Sequence, residues 1–101
     1  MVSVSFNARE RRLVLDGTCW PTDAEGVSDA IRAAADPSRG LVLDLTRLTS
    51  LPHEVAAATT AACCAAEADG CRIRVWTLPG SATELALAAA SRGEAALAPT
   101  S

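Results

Sequence analysis

Leu41-Val42-Leu43-Asp44-Leu45 is a nearly unbroken aliphatic run bounded by turn signals, with Asp36-Pro37-Ser38-Arg39-Gly40 before it and the hydroxyl-rich Thr46-Arg47-Leu48-Thr49-Ser50-Leu51 after it. A run of that length suits an interior strand covered on at least one face. The flanking segments then fall into place. Upstream, Val27, Ala30, Ile31 and Ala34 follow the i, i+3, i+4, i+7 spacing of an amphipathic helix. Thr22 or Asp23 is the expected cap of this helix, with Glu25 in its first turn. Downstream, Pro52 to Asp69 reads as a long helix with Pro near its first turn and Gly70 just past its end.

The outer segments complete the order. Val2, Val4 and Phe6 alternate with Ser3 and Ser5, the period of a half-buried strand. Leu13-Val14-Leu15 pairs with it as a β-hairpin, stopped by Asp16-Gly17, with Arg9, Arg11 and Arg12 at a tip placed in water. Arg72 to Thr77 alternates as a further strand, and Ser81 caps a last helix carrying Leu85, Leu87 and Ala88. The order β-β-α-β-α-β-α predicts an α/β fold with parallel crossovers. Residues 1–95 form one domain and residues 96–101 a frayed tail.

Composition narrows the function classes. The 101 residues carry 9 basic side chains, every one Arg, and 12 acidic ones, for a net charge of −3. That balance lacks the basic face that nucleic-acid binding needs. No segment reads as a secretory signal, and Val55 to Ala66 is too short to span a bilayer. A cytoplasmic domain without membrane insertion is therefore expected, and four cysteines held as thiols fit that compartment. Half of the residues are apolar but only 3% are aromatic, namely Phe6, Trp20 and Trp76. Alanine supplies much of the remainder, so helices pack through methyl groups while bulk resides in the strands.

Leu41 to Leu51, the following helix, and Gly70-Cys71-Arg72-Ile73-Arg74-Val75 together resemble a STAS domain, the fold of bacterial anti-sigma factor antagonists and of sulfate-transporter tails. Leu15-Asp16-Gly17-Thr18-Cys19-Trp20 falls where that family has its Gly-Glu-Leu-Asp loop. The resemblance implies a mixed sheet of about four strands with an N-terminal β-hairpin and helices packed against it. It also implies a non-enzymatic interaction module that binds a regulatory serine kinase or anti-sigma partner, alone or within a larger signalling assembly. The family's Asp-Ser-Ser-Gly segment opens the central helix, and its second Ser accepts phosphate. Here that segment is Pro52-His53-Glu54-Val55, so Glu54 occupies the phosphoacceptor position and the loop Asp becomes Trp20. Trp20, Pro52, His53 and Glu54 are thus the expected partner-binding residues.

Glu54 has two readings. A phosphoserine would carry roughly −1.5 to −2 charges against about −1 for Glu, so Glu54 imitates the modified state permanently. Alternatively, Glu is simply a favoured first-turn residue. His53 is by residue type a candidate pH sensor or proton carrier, but adjacent helical residues do not face each other, which makes it a surface histidine at the docking loop. Thr46, Thr49 and Ser50 precede the helix and either cap it or accept phosphate in place of position 54. The vicinal Cys63 and Cys64 lack C-x-x-C spacing and read as small buried hydrophobes, with Cys64 and Cys71 as a possible redox pair across the helix–strand junction. Trp76, opposite Ile73 and Val75, is expected to cover the sheet. No metal spacing, phosphate-binding glycine loop or other cofactor signature is present. A second function class follows from transporter-associated members of the resembling family: a small-ligand or lipid-transport accessory subunit, marked by an apolar pocket.

Overall fold

The computed structural model describes residues 2–91; the expected tail 96–101 lies outside them. Strands β1 (Ser3–Asn7), β2 (Arg12–Thr18), β3 (Leu41–Ser50) and β4 (Ile73–Trp76) form one sheet in the order β1-β2-β3-β4. β1 and β2 are antiparallel, whereas β2, β3 and β4 run parallel. Helices α1 (Ala24–Ala34), α2 (His53–Ala68) and α3 (Ala82–Ser91) pack on one face, and a short 3-10 turn, Pro21–Asp23, leads into α1. The result is the expected α/β architecture with an N-terminal hairpin.

The core lies where the aliphatic run meets the helices. Leu41, Leu43 and Leu45 of β3 and Leu13 and Leu15 of β2 are buried against Val27 and Ile31 of α1 and Val55, Ala56 and Ala62 of α2. After Leu45 the next inward residue is Leu48, an interval of three that alternation does not allow. A bulge explains it: Val14 pairs with Asp44 but Asp16 pairs with Arg47, so β3 spends one residue more than β2. Asp44 braces that bulge, its Oδ1 accepting from the Thr46 N–H at 3.0 Å and from the Thr46 hydroxyl at 2.6 Å. A second shift between Gly17/Thr18 and Leu48/Ser50 carries β3 past the expected Leu45 terminus as far as Ser50.

Two glycines close the crossovers. At the end of α2, Gly70 (φ +99°) lets the Cys71 N–H reach the Ala66 carbonyl at 3.0 Å and its own N–H reach Glu67 at 3.0 Å, a Schellman stop. Gly40 (φ +77°) brings backbone against backbone where β3 meets β4, with the Leu41 N–H donating to the Arg72 carbonyl at 2.8 Å.

Several expectations are corrected. β1 is exposed along its whole length, with Val4 44% and Phe6 41% exposed, because the helices do not fully cover this edge strand. The hairpin arginines are not all in water. Arg11 (φ +54°) folds back so that its guanidinium donates to the Ala34 carbonyl at the C-terminus of α1 and sits 5.0 Å from the Phe6 ring centre. Arg12 lies 5.9 Å from the ring centre of Trp76 on the face of the sheet away from the helices, a cation–π pair in which Trp76 remains 44% exposed. In α3, Leu85 points outward at 64% exposure while Thr83 is buried. Among the described residues no helix is long and apolar enough to cross a membrane.

Candidate partner-docking site

The parallel strands β2 and β3 finish side by side, with Thr18 paired to Ser50. Trp20 and Pro52 each follow two residues later, so the register alone delivers both segments to one end of the sheet. A hydroxyl relay ties this end together. Thr49 donates its one hydroxyl proton to the Gly17 carbonyl at 3.2 Å, which leaves Thr18 as donor to Thr49 across 2.8 Å. Thr46 is committed to Asp44. Thr46 and Thr49 are therefore occupied elsewhere, and α2 begins at His53 with Pro52 as its N-cap residue and no side-chain cap. The first turn keeps unpaired N–H donors and the positive end of the helix dipole facing outward.

Trp20 is 59% exposed, a large ring left in solvent beside a buried Cys19. Its position is fixed by its backbone: the Trp20 N–H donates to Asp23 Oδ2 at 2.7 Å, and the Asp23 N–H donates to the Trp20 carbonyl at 2.8 Å. Asp23 thus holds the tryptophan peptide instead of capping α1 with its side chain, which corrects the expected cap. The 3-10 turn that follows packs against α2. Burial, then the nearby Asp23 carboxylate, push the Cys19 thiol up.

His53 and Glu54 open α2, and both are substantially exposed. Their side chains meet, with His53 Nδ1 3.6 Å from Glu54 Oε1, although neighbouring positions of a continuous helix diverge. Trp20, Pro52, His53 and Glu54 therefore share one end of the molecule and combine an exposed aromatic on a hydrogen-bonded turn with an acidic helix start.

The cysteines lie elsewhere. Cys64 is exposed, whereas Cys63 and Cys71 are buried, and all four cysteines are free thiols. Burial, with Glu67, Cys64 and Cys71 adding in that order, pushes the Cys63 thiol up to about 11, so it stays protonated at neutral pH. Among the described residues no cluster of three His, Cys, Asp or Glu side chains is placed to hold a metal.

Two features were not anticipated from the residues. One is Asp23 as the anchor of Trp20, signalled only by a carboxylate three positions beyond an aromatic. The other is Thr59 on α2, which is 1% exposed and whose hydroxyl has no partner. Burying a hydroxyl without a partner costs about 1–3 kcal/mol. It stands among small residues on a cleft between α2, α3 and β4.

No protein-family model matches the chain, and no curated protein does. A solved structure described as "Crystal Structure Analysis of Mglu" is similar over 78% of this chain, with 23% identity and a TM-score of 0.59. The similar region spans 20% of that chain's length, and the likeness is one of fold.

Proposed function

We propose that the chain is a non-enzymatic interaction module of the STAS type, acting in the bacterial cytoplasm and docking a regulatory kinase or anti-sigma partner through Trp20, Pro52, His53 and Glu54. The observation that carries this reading is the exposed Trp20, held by two hydrogen bonds to Asp23 at the end of the sheet where α2 begins. Because its backbone is already fixed, Trp20 gives up little main-chain freedom on binding, and a large exposed aromatic is the residue type that dominates interfaces. Glu54 supplies the charge beside it. With no hydroxyl, it takes no phosphate and gives the face a fixed electrostatic character.

Capture from a bacterial lysate tests the reading, with wild type, Trp20→Ala and Glu54→Ser used as parallel baits. The expected result is a kinase-like or anti-sigma protein retained by wild type, lost with Trp20→Ala and changed in amount with Glu54→Ser. Recovery of no such protein, or identical recovery with all three baits, overturns it.

A further inference from the structure

β1 is an outer strand of the sheet, and its free edge carries none of the residues that keep such edges apart. Ser3-Val4-Ser5-Phe6-Asn7 holds no charge and no proline, pairs with β2 without a bulge, and is exposed throughout. An edge of that kind offers a row of backbone N–H and C=O groups to a further strand. Its side chains divide between two faces. Val4 stands opposite Leu15 and Phe6 opposite Leu13, both buried, so Val4 and Phe6 lie on the helix side. There they wall a groove of about 520 Å³ together with Leu13 and with Ala30 and Ala33 of α1. Ser3, Ser5 and Asn7 lie on the opposite face.

The pattern of this strand is its own complement. Polar, apolar, polar, apolar, polar reads the same in both directions from Ser5. A two-fold axis at Ser5 therefore sets Val4 of each copy against Phe6 of the other, and Ser3 against Asn7. Both apolar pairs then fall on the helix side and the polar pairs on the other. Charge selects the same arrangement. The return from β1 to β2 holds Arg9, Arg11 and Arg12 against Glu10, whereas the other end of this edge has Asp16 across from Ser3. Glu25 and Asp29 belong to that acidic end, because α1 begins where β2 finishes and ends where Arg11 meets Ala34. Asp29 also precedes Ala33 by one turn, on the ridge that faces the groove. An antiparallel pair brings the arginine-rich turn of each copy level with the acidic end of the other. A parallel pair would set the two arginine-rich turns side by side.

We propose that β1 pairs antiparallel with β1 of a second copy about a two-fold axis at Ser5, joining two four-stranded sheets into one continuous sheet. Val4 and Phe6 of each copy then close the groove beside α1 of the other.

Light scattering of the whole chain during size exclusion is expected to give twice 10.4 kDa at high protein concentration and to fall towards 10.4 kDa on dilution. Val4→Glu and Phe6→Lys are each expected to run at the single-chain mass, since each places a charge in the apolar pair. An equimolar mixture of the two is expected to recover the doubled mass, because position 4 of one copy meets position 6 of the other. Two cysteine variants in a Cys64→Ala background test the register at exposed serines, independently of how the charged variants fold. Ser5→Cys lies on the axis and is expected to form an interchain disulfide under mild oxidation. Ser3→Cys is expected to form none, since its two copies stand four residues out of step, about 13 Å apart. A wild-type chain that stays at the single-chain mass, a doubled mass retained by both charged variants, a mixture that recovers nothing, or equal cross-linking of Ser3→Cys and Ser5→Cys overturns the proposal.

Discussion

Gly40 stands where β3 begins, and replacing it with alanine separates two physical costs that are usually measured together. The first is conformational. At φ +77° a Cβ is strained by about 1–2 kcal/mol whatever the space around it. The second is steric, because that Cβ would lie 2.9 Å from the Arg72 carbonyl oxygen. This oxygen cannot retreat freely, since it accepts the Leu41 N–H at 2.8 Å and thereby sets the start of the β3–β4 pairing. Overpacking of this kind costs roughly 1–3 kcal/mol. Gly80 provides the internal reference, with φ +75° and nothing within 4 Å of its would-be Cβ. Gly40→Ala should therefore fall below Gly80→Ala by about 1–3 kcal/mol, or about 5–20 °C in Tm for a domain of this size. Gly26→Ala, in the first turn of α1 with nothing within 4 Å, should instead gain about 0.5–1 kcal/mol. Urea unfolding followed by far-UV circular dichroism measures all three. If Gly40→Ala and Gly80→Ala agree within about 0.5 kcal/mol, the backbone approach at Arg72 is not tight and the reasoning fails.

Three further outcomes follow from side chains. Arg11→Met keeps the stem but removes the guanidinium from the Ala34 carbonyl, and should cost about 1–3 kcal/mol in urea unfolding. Because the Cys63 thiol is raised to about 11, the unfolded chain releases that proton first as pH climbs. Its contribution is fully present below about pH 8.5 and is lost as pH rises towards 11, at no more than about 1.4 kcal/mol per pH unit; Cys63→Ala should flatten that slope in urea midpoints compared across pH. A thiol-specific chromogenic reagent should label Cys64 rapidly and Cys19, Cys63 and Cys71 only on unfolding; rapid labelling of Cys71 would contradict its burial.

Periodicity carries information wherever one side of an element meets the core, and there the residues are legible in advance. Leu41, Leu43 and Leu45 announce an interior strand, and Val27 and Ile31 a buried helix stripe, because burial imposes those spacings. The stop of α2 is equally readable, since only Gly70 accepts the φ that ends it. Legibility fails where a tertiary contact overrides local preference. Val4 and Phe6 alternate as if half-buried, yet no residue of β1 reveals how far the helices reach. The hydroxyls before α2 have the composition of caps, but Asp44, Thr18 and Gly17 claim Thr46 and Thr49 through pairings between strands. At the candidate site, the convergence of Trp20 with Pro52 depends on the parallel register of β2 and β3, which no short stretch of chain encodes. Thr59 is silent for the same reason: only the approach of α3 turns it into the wall of a cleft.

The two tryptophans give the molecule a pair of optical reporters with separate fields of view. Trp20 stands in solvent at the docking end, while Trp76 lies beneath the Arg12 guanidinium on the uncovered face of the sheet. Replacing either ring by phenylalanine leaves a single emitter whose spectrum belongs to one surface. A ligand arriving at the start of α2 then registers through Trp20 alone, and contact with the open sheet registers through Trp76. Few chains of this size come with their own two-channel readout, and here the scarcity of aromatics is what keeps the channels clean.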